Sequence, residues 1–346
     1  MKILICSDVY PGFAGISRHI GNLSKELSKN HQVSILSLIR DGEKKKEKEG
    51  KCWIFRRKKG EIDSFFKEKE KEFDLVIVEW FAFLKAVDYF ENVVYILPSV
   101  RKTTFEFIGG EDKLKINKMV EKEKQGIEKC RFLIYPSKCV KKQVKDSYGI
   151  KRGVVIPHAV DLDKFKMKKQ EKEYDVLCVS NLNDKRKGID KLIKAAKYSE
   201  GKFYLLGDGF LREEFEEKVE SLGLENIKFL GRRESLGYYQ KSLIFVLPSI
   251  YEAFGLVLLE AMACGLPCVA FKPDGKKIMT ASGEIIDNGK TGFLVKDEKE
   301  MAGKIDLLLE DEQLRKKMGM AGRKKAIDYS WKNYVKKLLN YVEPRN

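Results

Sequence analysis

An α/β fold of two Rossmann-like domains, each built on a doubly wound parallel sheet, is what this sequence predicts, and three observations carry the prediction. At 346 residues and 43% hydrophobic content the chain can bury two cores of ordinary domain size. Residues 2–6, 16–29 and 31–38 read in turn as an apolar strand, a helix and a second strand, the βαβ unit of such a sheet. The same kinds of element return at 243–271. There an apolar run ends at Pro248, a loop leads to a helix over 256–264 closed by Gly265 and Pro267, and a strand follows from Cys268 to Phe271.

Composition narrows the class. The charged fraction is 35% and the net charge +16, of which residues 1–160 carry +11. The first half is therefore the one expected to meet an anionic partner. No interleaving of aromatic and basic residues accompanies that charge, which argues against nucleic acid. The seven cysteines are scattered without a CxxC pair, so reduced, buried thiols are expected. No apolar run approaches the roughly 20 residues that span a bilayer, and no signal peptide precedes the first strand. The expected location is cytoplasmic, or at the inner face of a membrane.

Taken in order, the first domain continues with a charge-dense insert over 41–72. Only Cys52-Trp53-Ile54-Phe55 reads as a strand there, and the lysine runs read as solvated loop and helix faces. Strands are expected at 73–78, 93–97 and 132–135, with a helix near 113–129. Ser137 is a fitting N-cap for the helix after them. On that helix Lys138, Lys141, Lys142 and Lys145 recur at i, i+3, i+4 and i+7 and share a face, with Val140 and Val144 on another. Such a face suits plain solvation, or rest on anionic lipid at on the order of 1 kcal/mol per lysine; both readings stand. His19 reads as a packed histidine. The second domain opens with a strand at 175–179 and the basic loop 180–188. A basic loop at a strand end and helix start has the position and charge of a phosphate site.

Loop and helix 248–267 hold two carboxylates, Glu252 before the helix and Glu260 within it. A helix N-terminus presents N–H groups and the positive end of a dipole to a phosphate. A carboxylate accepts two hydrogen bonds from neighbouring hydroxyls, so the pair could hold a sugar and a ribose either side of a diphosphate. Two glutamates eight apart are more often a loop acid and a solvated helix acid, but the residues around these two decide otherwise. From Pro248 to Pro267 the chain is similar, nearly residue for residue, to the donor-site signature of the family 4 glycosyltransferases of GT-B fold, P-S-x-x-E-x-F-G-L-x-x-x-E-A-M-A-x-G-x-P. Looser likenesses run along the rest. Gly15, Ile16 and His19 match the family's G-G-I/V-x-x-H loop, with Ala14 for the first glycine. Residues 154–161 resemble V-I-P-N-G-V-D, with His158-Ala159 for Asn-Gly, and the Asp161-Leu-Asp163 overlapping them reads as structural. Residues 180–188 resemble G-R-L…R-K-G, with Lys187 matching the lysine and Asn181 standing where arginine is usual. Residues 203–209, 226–231 and 289–295 resemble later landmarks. Pro98-Ser99-Val100-Arg101 stands where relatives often carry a histidine, and 271–282 departs from G-G-x-x-E-x-I.

The resemblance implies two domains facing a central cleft: an acceptor-binding domain over 1–160, a hinge at 161–173, a nucleotide-sugar-binding domain over 174–325, and a C-terminal helix within 326–346 crossing back. It implies transfer of a hexose, with retention of configuration, to a hydroxyl acceptor that is a glycan, a lipid-linked molecule or a small metabolite. No metal or other cofactor is expected, and a UDP- or GDP-sugar is the expected donor. Glu252 would orient the hexose and Lys187 stabilise the departing diphosphate; these are the catalytic candidates. Glu260 would hold the ribose, with Arg186, Asn181, Phe254, Gly255, Leu256 and Gly231 completing the donor site. Gly15 and Ile16 would line the acceptor side, and an anionic membrane is a candidate peripheral partner. Two further readings share these features: a nucleotide-sugar epimerase, and a non-catalytic partner of another transferase.

Overall fold

The computed structural model describes residues 1–8, 10–11, 15–108 and 113–343. The chain divides into two compact units, one of Met1–His158 with Trp331–Asn346 and one of Ala159–Ser330. Each is a sheet with helical crossovers.

In the first unit the strands are β1 (Lys2–Cys6), β2 (Gln32–Leu38), β3 (Lys46–Glu49), β4 (Cys52–Arg57), β5 (Leu75–Val78), β6 (Val93–Ile96), β7 (Phe132–Tyr135) and β8 (Val154–Val155). They lie in the order β3-β4-β2-β1-β5-β6-β7-β8, and every pairing but β3 with β4 is parallel. Parallel strands are covered by helices on both faces and so read as unbroken apolar runs; β5 and β6 are buried at every position. The charged insert differs from its expectation as loop and helix. Lys46-Glu47-Lys48-Glu49 forms a strand antiparallel to β4 at the sheet edge. Alternating charges there keep the open edge from pairing with another chain. The helix Lys113–Lys129 lies where periodicity places it. Ser137 caps the helix Lys138–Tyr148, its Oγ accepting from the Val140 N–H at 3.1 Å.

The second unit holds β9 (Tyr174–Val179), β10 (Phe203–Leu206), β11 (Ile227–Gly231), β12 (Ser242–Leu247), β13 (Tyr251–Glu252), β14 (Cys268–Phe271), β15 (Met279–Thr280) and β16 (Gly292–Val295). Its main sheet runs β11-β10-β9-β12-β14-β16, parallel throughout. This is the doubly wound order 3-2-1-4-5-6, in which the strand order reverses between the first strand and the fourth. Loops leaving the C-terminal ends of β9 and β12 therefore diverge and leave a crevice between them. Ligands of open α/β sheets bind at that switch point. Two apolar clusters fill the unit, one including Val176, Phe203 and Ile305 and the other Leu177, Phe245, Leu258 and Met262. The seven cysteines are free, and all but Cys139 are buried.

Candidate functional site

The switch point of the second unit brings together two of the sequence's candidate segments. After β9 the loop turns through a 3-10 helix, Lys185–Lys187, started by Asp184, whose carboxylate accepts from the Arg186 N–H at 2.9 Å. Gly188 then takes a left-handed φ of +68°, and a Cβ there would stand 2.0 Å from the Pro248 carbonyl oxygen. Only glycine lets the two loops approach so closely. The Ile250 N–H donates to the Arg186 carbonyl at 2.9 Å and ties them together.

This stitching sets Lys187 Nζ 2.6 Å from Glu252 Oε2, the two side chains being 27% and 19% exposed. Glu252 is itself fixed on β13, a strand absent from the sequence reading, through its ladder with β15: Tyr251 opposes Met279 and Glu252 opposes Thr280. The segment 271–282, which departs from the family pattern, thus returns to support the loop that carries the acid. Gly255 turns the chain at φ +92° into the helix Leu256–Ala263, and Gly265 at φ +80° ends it. Leu256 is half-buried at the helix start and Phe254 is buried, its ring 6.2 Å from that of Tyr329.

Glu260 is buried on this helix, among Leu258, Leu259, Ala261 and Met262. Taking a carboxylate out of water is expensive unless it is hydrogen-bonded, and Tyr239 supplies a donor, its hydroxyl 3.0 Å from Glu260 Oε2. Sequence reading missed Tyr239, which lies 21 positions away; its only local signal is a tyrosine in the short helix Leu236–Lys241.

Arg186, next to Lys187 in the chain, and Asn181 are each held by local hydrogen bonds. Asp184 grips the Arg186 guanidinium with both oxygens, at 2.6 Å from Nη2 and 3.0 Å from Nε. Burial pushes the Asp184 carboxyl up, and the bonds from Arg186 outweigh it and hold it below the usual carboxylate range. The guanidinium carbon sits 5.0 Å from the centre of the Tyr251 ring. Asn181 is exposed, its Oδ1 accepting from the Asn183 N–H at 2.8 Å. Gly231, at φ +71° and the end of β11, accepts from the Gly207 N–H at 2.9 Å. Asp161 turns its carboxylate onto the N–H groups of Asp163 and Lys164, at 3.1 and 3.0 Å, which is turn chemistry.

In the first unit the corresponding reversal lies between β1 and β5. Gly15 begins the helix Gly15–Leu27 after β1; Ile16 follows in that helix, its side chain outside the described residues, as is Ala14. One turn in, buried His19 finds the partner that the sequence did not reveal, with Nδ1 2.8 Å from Oε1 of buried Glu79 just past β5. The rings of His158, Trp331 and Tyr334 pack on His19 at centroid distances of 4.3, 4.9 and 5.3 Å. Burial, then the nearby His19, holds the His158 pKa well below its ordinary value. His158 is thus neutral when folded and takes a proton below about pH 6.5 when unfolded. Its contribution to stability is complete above that pH and is lost as pH falls, at about 1.4 kcal/mol per unit. Denaturant titrations between pH 7.5 and 5 (roughly the span of imidazole titration) should show the slope, and the non-titrating His158→Asn variant a flatter one. Equal slopes would remove His158 as the cause.

Both halves of the chain match family models. One described as "Glycosyl transferases group 1" matches residues 159–325, and one described as "Glycosyltransferase Family 4" matches residues 13–164. An uncharacterised glycosyltransferase of Methanocaldococcus jannaschii is 31% identical over 208 residues, 59% of this chain and 56% of that protein. The N-acetyl-alpha-D-glucosaminyl L-malate synthase of Bacillus anthracis is 34% identical over 160 residues, 44% of this chain and 40% of that one. The chain thus spans about half, or less, of the length of such curated relatives. Among solved structures, the sucrose-phosphate synthase of Thermosynechococcus elongatus aligns with a TM-score of 0.84 at 19% identity, covering 98% of this chain and 97% of the other. Anabaena HepE, solved in complex with UDP and glucose, aligns with a TM-score of 0.79 at 19% identity over 98% of both chains. At such identities the likeness speaks for the fold, two Rossmann-like domains of GT-B type.

Proposed function

Because the chain belongs to the family 4 glycosyltransferases of GT-B fold, we propose that it moves a hexose from a nucleotide-diphosphate sugar to a hydroxyl acceptor, with retention of configuration. The observation that carries this is the Lys187–Glu252 pair at the switch point, 2.6 Å apart on two loops locked together by Gly188. A diphosphate seated at the Gly255 helix N-terminus meets a fixed dipole and the Lys187 ammonium. As the bond to the sugar breaks, negative charge grows on the diphosphate, and groups already in place stabilise it without reorganising. Glu252 accepts hydrogen bonds from hexose hydroxyls. Glu260, braced by Tyr239, accepts from the ribose; a carboxylate kept inside an apolar helix face at an energetic cost has a natural use there. Arg186 lends charge from beside its Asp184 partner. The reading assigns no metal and no protein nucleophile. HepE structures with UDP and with UDP-glucose favour UDP as the first nucleotide to try.

The test is a panel of UDP-, GDP- and ADP-sugars scored by melting temperature and by slow donor hydrolysis. At a hundred times its dissociation constant the right donor should stabilise the chain by about 2.7 kcal/mol. The same panel on Glu260→Ala should show donor affinity reduced by about tenfold or more, the worth of a hydrogen bond to a charged group. Unchanged affinity would remove Glu260 from the ribose site. No shift and no hydrolysis with any donor would overturn the proposal itself.

A further inference from the structure

We propose that the lysine face of the helix Lys138–Tyr148 is a docking surface for the phosphates of an anionic lipid bilayer. Lys138, Lys141, Lys142, Lys145 and Lys151 line one surface pocket. Four come from the helix by their spacing, over a face about 10 Å long at 1.5 Å per residue. The fifth arrives because Gly149, at φ +75°, ends the helix and turns the chain back along it. The face is fixed in direction: Val140, Gln143, Val144 and Tyr148 are buried on the other side, and Lys141 Nζ donates to the Gly153 carbonyl at 2.8 Å. Within this face Lys142 Nζ lies 2.5 Å from the Asp146 carboxylate, an ion pair along the same helix. Like charges gathered so closely repel, and an anionic partner relieves the repulsion.

The chemistry of the lining selects the partner. Every lining residue is a lysine, a hydrated point charge on a flexible stem, and none is an arginine whose rigid fork matches one phosphate in one pose. Mobile point charges spread along a helix suit an array of phosphates better than a single shaped metabolite. Among the described residues of 132–158 no large apolar side chain is exposed. Attachment therefore rests on charge without insertion, and salt weakens it. This inference goes beyond sugar transfer and does not depend on it.

Co-sedimentation of the whole chain with vesicles tests it. The chain should bind vesicles of phosphatidylcholine and phosphatidylserine at roughly 2:1 and leave pure phosphatidylcholine unbound. Raising salt from about 0.1 M to about 1 M, which cuts the screening length from about 10 Å to about 3 Å, should release it. Combining Lys138→Gln, Lys142→Gln and Lys145→Gln should lower the partition coefficient about a hundredfold, three lysines' share of surface attraction, with melting unchanged. The matching Lys→Arg triple should keep it. Equal vesicle binding by the Gln triple would place the contact elsewhere and overturn the proposal. So would tight binding of inorganic tripolyphosphate without vesicle binding, which assigns the face to a soluble anion. Donor turnover in the same samples separates this proposal from the preceding one: vesicle binding by a chain that turns over no donor sinks only the latter.

Discussion

Lys187→Ala is expected to lower donor turnover by about 10²- to 10³-fold, the usual loss when one preorganised group that stabilises developing charge is removed. The side chain reaches the switch point through a turn whose start is capped by Asp184 and whose end is pinned by Gly188 against Pro248. Its ammonium is held 2.6 Å from Glu252 and is partly exposed. A partly exposed ion pair contributes at most about 1 kcal/mol to stability after solvent screening, so the variant should melt close to the parent. Turnover at saturating donor, with melting as the control, reads the two effects separately. Lys187→Arg should recover part of the rate, since it restores charge and changes its shape. Full activity in Lys187→Ala would end the assignment of this residue to the leaving group.

The second large effect belongs to a residue with no side chain. Gly188→Ala should destabilise the second unit by about 3 kcal/mol or more and abolish measurable donor binding. Two costs add there. A left-handed φ disfavours any Cβ by roughly 1–2 kcal/mol, and this Cβ would sit 2.0 Å from a backbone oxygen that lies on the loop of Glu252 and has no side-chain freedom to yield. Gly223→Ala separates the two. Gly223 has a similar φ of +62°, and nothing lies within 4 Å of its Cβ position. Urea titrations should therefore give the Gly223 variant the conformational cost alone, about 1–2 kcal/mol. If both variants lose the same stability, the close approach of the two loops is not what Gly188 is kept for.

Much of this was legible along the chain because the signals are local. Apolar runs placed β9, β12 and β14, with Pro248 closing β12 and Pro267 preceding β14. Gly255 and Gly265 bracketed the helix of Glu260, and Ser137 announced the helix of the lysine face. The donor candidates Glu252 and Glu260 stood out through resemblance to a specific family signature, and Lys187 through a looser likeness over 180–188. The strand Lys46–Glu49 was hidden by its composition, because an edge strand can consist of charges when one side of it faces water.

Order along the chain and the identity of the two carboxylate-bearing segments, then, were determined by the sequence alone, since caps, turns and apolar periodicity act within a few residues. What the site residues touch was decided only by tertiary structure. Lys187 meets Glu252 across 65 positions, Tyr239 meets Glu260 across 21, and His19 meets Glu79 across 60. Lys151 joins the helical lysines only once Gly149 has turned the chain. The first three contacts exist because parallel strands must be joined by long crossovers, and the fourth because a left-handed glycine reverses the chain at a helix end. Residues that converge at one sheet edge are therefore always far apart in sequence, where no local pattern can announce them.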